Sequence, residues 1–231
     1  MQSINVTNVN STDYNILLNN DLRDFACYAA GTRIRTQKGD VPVDDLCVGD
    51  FVLTQDHGFQ PICWIKGEMV RRTAKMTPVR IMAGALGSGL PAADLLVSQH
   101  HRILVRSGIL GQLVGEAEVY VAAKKLVDLP GIAFDSGSGP VTYFHLMCER
   151  HEIIFAEGAP SETLFPGKQA LLMIGADAAM ELLSIFPSLA QKEDSVALAR
   201  KELRGGDLRK LITRHVKNPN ALLPADYVAP Q

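Results

Sequence analysis

The chain has 231 residues, 47% of them hydrophobic, and its 23 basic and 25 acidic side chains are well mixed along the sequence for a formal charge of -2. That is enough apolar surface for the core of one fair-sized domain, or of one domain with an appendage. The charge balance leaves no basic stretch of the kind that binds nucleic acid or an anionic membrane. Four cysteines, Cys27, Cys47, Cys63 and Cys148, stand far apart with no Cys-x-x-Cys pair, which argues against a zinc ribbon or a dense disulfide scaffold.

Residues 1 to about 23 are rich in Asn, Asp and Ser, and read as a loosely held lead segment that ends just before Cys27. They have neither the basic start nor the apolar centre of a Sec signal, and no apolar run in the chain is long enough to span a bilayer. The Asn5-Val-Thr and Asn10-Ser-Thr triplets match the glycosylation sequon, but with no secretory signal they are discounted.

From Cys27 to about 167 the chain reads as short strands punctuated by Gly and Asp: GTRIRT, VPVDDL, FVLT, FQPICWIKG, TPVRIMAG, RILVRS, EVYVAAKKLV, VTYFHLMC and HEIIFAEG. Such spacing predicts an all-β sandwich or barrel rather than a βαβ sheet. The Gly-rich loop GALGSGLP, residues 84–91, lacks the Lys-Ser/Thr ending of a phosphate-cradling loop. After Pro166-Gly167 the period changes to that of helices, over residues 168–186 and again over 196–216, where Gly205-Gly206 interrupts. The expected organisation is a lead segment 1–26, a β domain 27–167 and a helical C-terminal appendage 168–231.

Three segments carry chemistry: Cys27-Tyr-Ala-Ala-Gly-Thr, Ser98-Gln-His-His-Arg102, and residues 143–158 with His145, Cys148 and His151. A thiol directly after a peptide carbonyl can attack that carbonyl through a five-membered ring, turning the Ala26-Cys27 amide into a thioester. Such a site needs donors for the developing oxyanion and an acid for the departing nitrogen, a task suited to histidine.

With GDVPVDDLCVGDFVLTQDHG, PVRIMAGALG and HEIIFAEGAPSE, these segments resemble, over about residues 24–167, the Hint superfamily shared by inteins and the C-terminal part of Hedgehog proteins. In particular the run resembles the bacterial Hint-type family found outside true inteins. The resemblance implies a mainly β Hint fold, Cys27 as nucleophile, and Ser98-Gln-His-His101 standing for the Thr-x-x-His motif, with Ser98 near the scissile peptide and His101 as the acid. His100 stays open as the alternative to His101, since adjacent strand residues point to opposite faces. His145 and His151 would bring a second polar cluster to the site, on one face if their strand is unbroken; Glu149-Arg150 as a turn would void that parity. A surface or strand-capping role stands as the plain alternative for each histidine. Convergence of Cys27, His101, His145, His151 and Cys148 on zinc is a minor alternative, and no cofactor is expected.

True inteins end in His-Asn; here the matching stretch reads Ala156-Glu-Gly-Ala-Pro-Ser-Glu-Thr163, so splicing is not expected. What the resemblance leaves is single-turnover autocatalytic cleavage at Ala26-Cys27 by an N-to-S acyl shift, the chain's own lead segment being the substrate. A degenerate Hint fold serving as a binding or export-associated module, and a Cys-His hydrolase acting in trans, are the rival readings. A soluble chain is expected, in a bacterial cytoplasm or exported without a Sec signal; oligomeric state is left open.

Overall fold

A computed structural model describes residues 26–165, 180, 183–184, 197–218 and 221–230. The lead segment up to residue 25 and most of the first expected C-terminal helix lie outside these; residues 180, 183 and 184, within it, are helical. The described strands are β1 (Tyr28–Ala29), β2 (Arg33–Thr36), β3 (Gly39–Pro42), β4 (Phe51–Thr54), β5 (Gly58–Pro61), β6 (Trp64–Val70) and β7 (Val79–Ile81). They continue with β8 (Leu95–Val97), β9 (Arg102–Val105), β10 (Val119–Ala122), β11 (Ile132–Phe134), β12 (Val141–Met147), β13 (Ile153–Ala156) and β14 (Ala159–Glu162). Helices α1 (Gly108–Val114) and α2 (Gly205–Lys217) complete the described elements, with single 3-10 turns at Val43–Asp45 and Ala123–Lys125.

The strands form two antiparallel sheets. One runs β11-β7-β8-β1-β12-β6; the other runs β10-β9-β14-β13-β2-β4-β5, with β3 beside β2. In β2 the side chains alternate, Arg33 and Arg35 facing solvent while Ile34 and Thr36 are buried, whereas β13 and β14 are buried along their whole length. The hairpin between β13 and β14 closes on Glu157 and Gly158, both at positive φ (48° and 76°), the backbone of a tight two-residue turn. The main core gathers Ile34, Val52, Ile103, Val121, Phe155 and their neighbours; a smaller cluster of Cys27, Ala29, Trp64, Val141, Tyr143, Met147 and Leu164 underlies the six-stranded sheet.

Two segments depart from the expectation. Residues 108–114 form a helix that the pattern of short strands did not announce; Ser107 caps it by accepting from the Ile109 amide, and Gly115 ends it in the left-handed conformation. The stretch before Gly205, expected to be helical, is not helical where it is described: residues 199–200 bend and 201–203 run beside β10. Tyr120 donates its amide to the Lys201 carbonyl at 2.9 Å, and Leu203 donates to the Tyr120 carbonyl at 2.8 Å. This run covers the open edge of β10, which otherwise presents unpaired backbone groups; the gain from pairing outweighs the helix preference of Ala, Arg, Lys and Glu. Helix α2 then starts at Gly205.

The chain end returns to the β region. Leu208, Leu211, Leu222, Leu223 and Tyr227 are part of the main core. The Gly-rich loop 84–91 serves as the dock for this tail: Leu223 donates its amide to the Leu86 carbonyl at 2.8 Å. A Cβ on Gly87 would come within 2.3 Å of Ala221 Cβ and 2.5 Å of the Leu223 carbonyl oxygen, so only glycine fits there.

Candidate functional site

Strand β1 is two residues long, and Cys27 immediately precedes it. In the register of the sheet Tyr28 pairs with Phe144 of β12 on one side and with Val97 of β8 on the other. Carrying both ladders back one residue sets Cys27 opposite His145 and Ser98. The contacts agree: the Cys27 amide donates to Ser98 Oγ at 3.2 Å, and the Ser98 amide donates to the Cys27 carbonyl at 3.0 Å. On the other side Cys27 Sγ lies 3.4 Å from His145 Nδ1. The same nitrogen is 3.3 Å from the Ala26 carbonyl oxygen. One imidazole nitrogen thus stands beside both the thiol and the carbonyl it would attack.

The site is dry: Cys27 is 2% exposed and His145 3%. Burial pushes the Cys27 thiol far above its usual range; the Ser98 hydroxyl offsets part of this, and the charges of Glu68 and Glu162 add to it. Burial lowers His145 to about 4, with partial relief from the Ala26 carbonyl and a further push from Lys66, its neighbour across β6. At neutral pH the pair is therefore thiol and neutral imidazole, not an ion pair.

His101 is fully buried, and its two ring nitrogens have no hydrogen-bond partner among the described residues. Its ring meets the Tyr28 ring edge-on with centroids 4.5 Å apart. Burial lowers it to about 4; the Glu162 charge and the nearby Cys27 carbonyl pull the other way without restoring it. His100 turns elsewhere, its Nε2 lying 2.6 Å from Lys124 Nζ. Of the two, His101 is the one on the Cys27 side.

His151 is not part of the thiol cluster. The chain turns at Glu149-Arg150 between β12, in one sheet, and β13, in the other, so the six-residue spacing from His145 does not keep a common face. The Ala199 amide donates to His151 Nδ1 at 3.1 Å, which leaves the Nε2 hydrogen to donate to Glu162 Oε2 at 3.0 Å. Cys148 is buried at the end of β12, and among the described residues no group of three or more His, Cys, Asp or Glu side chains could hold a metal ion.

Glu162, whose role the sequence did not disclose, is the hub of a buried charge network behind the site. It is 1% exposed and accepts from the Arg102 amide and Arg102 guanidinium, both at 2.7 Å, as well as from His151. Burial alone would raise its carboxyl; the His151 hydrogen bond and the Arg102 charge hold it below the usual value. Its carbonyl accepts from the Tyr28 hydroxyl at 2.8 Å, tying the network to the residue after the thiol. Replacing Glu162 by alanine is expected to cost about 3–5 kcal/mol, because buried His151, the Arg102 amide and the part-buried Arg102 guanidinium would all lose their acceptor. Urea unfolding reads this directly, and a loss below about 1 kcal/mol would show that Glu202 suffices for Arg102.

Comparison with known proteins adds the following. Among solved structures, the chain is similar to the AceL NrdHF class 3 split intein, at 14% identity and a TM-score of 0.42 over 60% of this chain and 97% of that one. It is similar to a bacterial intein-like domain from Clostridium thermocellum at 13% identity and 0.43, over 59% and 97%. A DnaB intein from Synechocystis sp. PCC 6803 aligns at 10% identity and 0.39, over 60% and 98%. Among curated protein sequences none matches significantly. A family model described as the Hint domain matches residues 26–168, more than half of the sequence, and the chain belongs to that family.

Proposed function

We propose that this chain cleaves its own Ala26-Cys27 peptide bond through a thioester and does not splice. The observation that carries the reading is the position of His145 Nδ1, 3.4 Å from the thiol and 3.3 Å from the Ala26 carbonyl oxygen. Neutral Nδ1 accepts the Cys27 thiol proton as Sγ bonds to the Ala26 carbonyl carbon. The same nitrogen, now an N–H, then faces the oxygen that has become negative, and donates to it. When the carbon–nitrogen bond breaks, this proton passes to the Cys27 nitrogen, whose own N–H Ser98 Oγ holds in place. The products are a free Cys27 amine and a thioester between Ala26 and Sγ, which water hydrolyses to release residues 1–26.

The contacts favour His145 over His101 for this proton relay. His145 Nδ1 lies 3.4 Å from the thiol, whereas the ring nitrogens of His101 meet no hydrogen-bond partner among the described residues and its ring packs edge-on against Tyr28. His151 supports the site only through Glu162.

Intact mass of the purified chain, incubated with and without hydroxylamine, tests the reading. The wild type is expected to lose residues 1–26, faster with hydroxylamine, and Cys27→Ala to keep them. An unchanged mass in a folded wild-type chain would sink it. One observation favours a second reading, a non-catalytic Hint module: the buried thiol is held far from ionisation. That reading expects the same mass with and without hydroxylamine. The 2% exposure of Cys27 argues against a hydrolase acting on external substrates.

A further inference from the structure

The Gln99–Arg102 turn that carries His101 also borders a cavity of about 760 Å³ between β9, the 3-10 turn at Ala123–Lys125 and the start of α2. Its size is that of a small-molecule site. Five of its lining side chains are cationic, Arg102, Lys124, Lys125, Arg204 and Arg209, against two carboxylates, Asp128 and Glu202. The protein as a whole carries a formal charge of -2, so this concentration is local.

One of the two carboxylates is already committed, and Asp128 is exposed with no ion pair among the described residues. Glu202 accepts from Arg102 Nε and from Arg204 Nη2, both at 2.7 Å. Lys125 and Arg209 are exposed and make no ion pair among the described residues. Lys124 Nζ sits 2.6 Å from His100 Nε2, a contact in which the ring nitrogen must accept. Gathering Lys125 and Arg209 around one concavity, with Asp128 the single uncommitted carboxylate there, leaves an excess of positive charge that a bound anion would relieve. Ala122, Leu203, Leu208 and Ile212 supply the apolar part of the lining, with Gly205 and the Thr213 hydroxyl beside them.

We propose that this cavity binds a small phosphorylated molecule. Lys124, Lys125 and Arg209 grip a diphosphate-type group, for which the guanidinium offers a two-pronged donor, while an apolar ring rests on Ala122, Leu208 and Ile212. The site belongs to this chain's C-terminal packing and stands whether or not Cys27 reacts.

Calorimetric titration of the full chain at low salt, with inorganic pyrophosphate and with ADP as probes, tests the site. Saturable one-to-one binding of both is expected, competitive with each other, with ADP at least about 10-fold tighter because only it can use the apolar floor. Both are expected to weaken about 10-fold or more in a Lys125→Ala/Arg209→Ala double variant, whose changes are at exposed positions. An Arg35→Ala/Lys38→Ala control on the β2–β3 hairpin should bind as the wild type does. Absence of saturable binding, or equal weakening in the control, overturns the proposal; equal affinity for the two probes overturns its apolar half.

Discussion

Replacing His145 by glutamine is expected to slow release of residues 1–26 by about 10²–10⁴-fold, the usual worth of a positioned proton-transfer group. It should also change the pH dependence of what remains. With His145 lowered to about 4, neutral imidazole is present throughout the neutral range, so the wild-type rate should be flat from about pH 5 to 9 and fall below about pH 4. Without the relay, only thiolate can attack. Burial holds the Cys27 thiol far above its usual range, so thiolate is scarce near neutrality and grows about tenfold per pH unit. The variant's residual rate should therefore climb with pH at a logarithmic slope near one. Mass spectrometry of time courses at several pH values measures both. A variant as fast as the wild type, or a wild type that already climbs with slope one, would remove His145 from the reaction. Glutamine keeps an amide near the Ala26 carbonyl, so a loss of rate in the variant reports the lost proton acceptor more than a lost hydrogen bond.

The pairing of Cys27 with Ser98 and His145 was open to sequence reading because all three lie on strand-like runs around a short recognisable pattern. What the sequence lacked was register: only once Tyr28 is opposite Phe144 and Val97 does Cys27 fall between the other two. His151 was left conditional on an unbroken strand for a related reason. A parity argument holds along one strand, and the turn at Glu149-Arg150 carries the chain from one sheet to the other. Glu162 gave no signal, since a lone carboxylate in APSETLF looks like any polar residue near a turn. Its burial goes with Arg102, 60 residues away in sequence, and with His151, which the β13–β14 pairing brings beside it. Helix α1 was hidden because GILGQLV is seven residues with two glycines, too short and too weak in propensity to stand out from a loop. The extended stretch at 201–203 was hidden behind good helix formers, whose preference yields to the free edge of β10.

Acid should unfold this protein well before its carboxylates are all protonated. His101 and His145 are both buried and neutral, each lowered to about 4 in the folded state, whereas an unfolded chain titrates them near about 6.5. Between these values the unfolded state binds more protons than the folded one, so the stability the two residues contribute is complete above about pH 6.5 and drains as pH falls towards 4. Each pKa gap corresponds to a loss of about 2 kcal/mol by pH 5 and about 3 kcal/mol by pH 4. Together the pair would remove about 4 kcal/mol by pH 5, a large share of the about 5–15 kcal/mol of a typical domain. Glu162 acts in the same direction at lower pH, because its carboxyl is held below the usual value by groups it meets only in the fold. Urea unfolding at pH 7.5 and at pH 5.0 measures the drop, and His101→Gln should roughly halve it by removing one of the two titrations. An NMR titration in which both imidazoles stay neutral down to pH 5 would establish the cause. A stability that is level between pH 7.5 and 5.0 would mean that water reaches these rings in the folded protein, and the dry, uncharged resting state of the Cys27 site would fall with it.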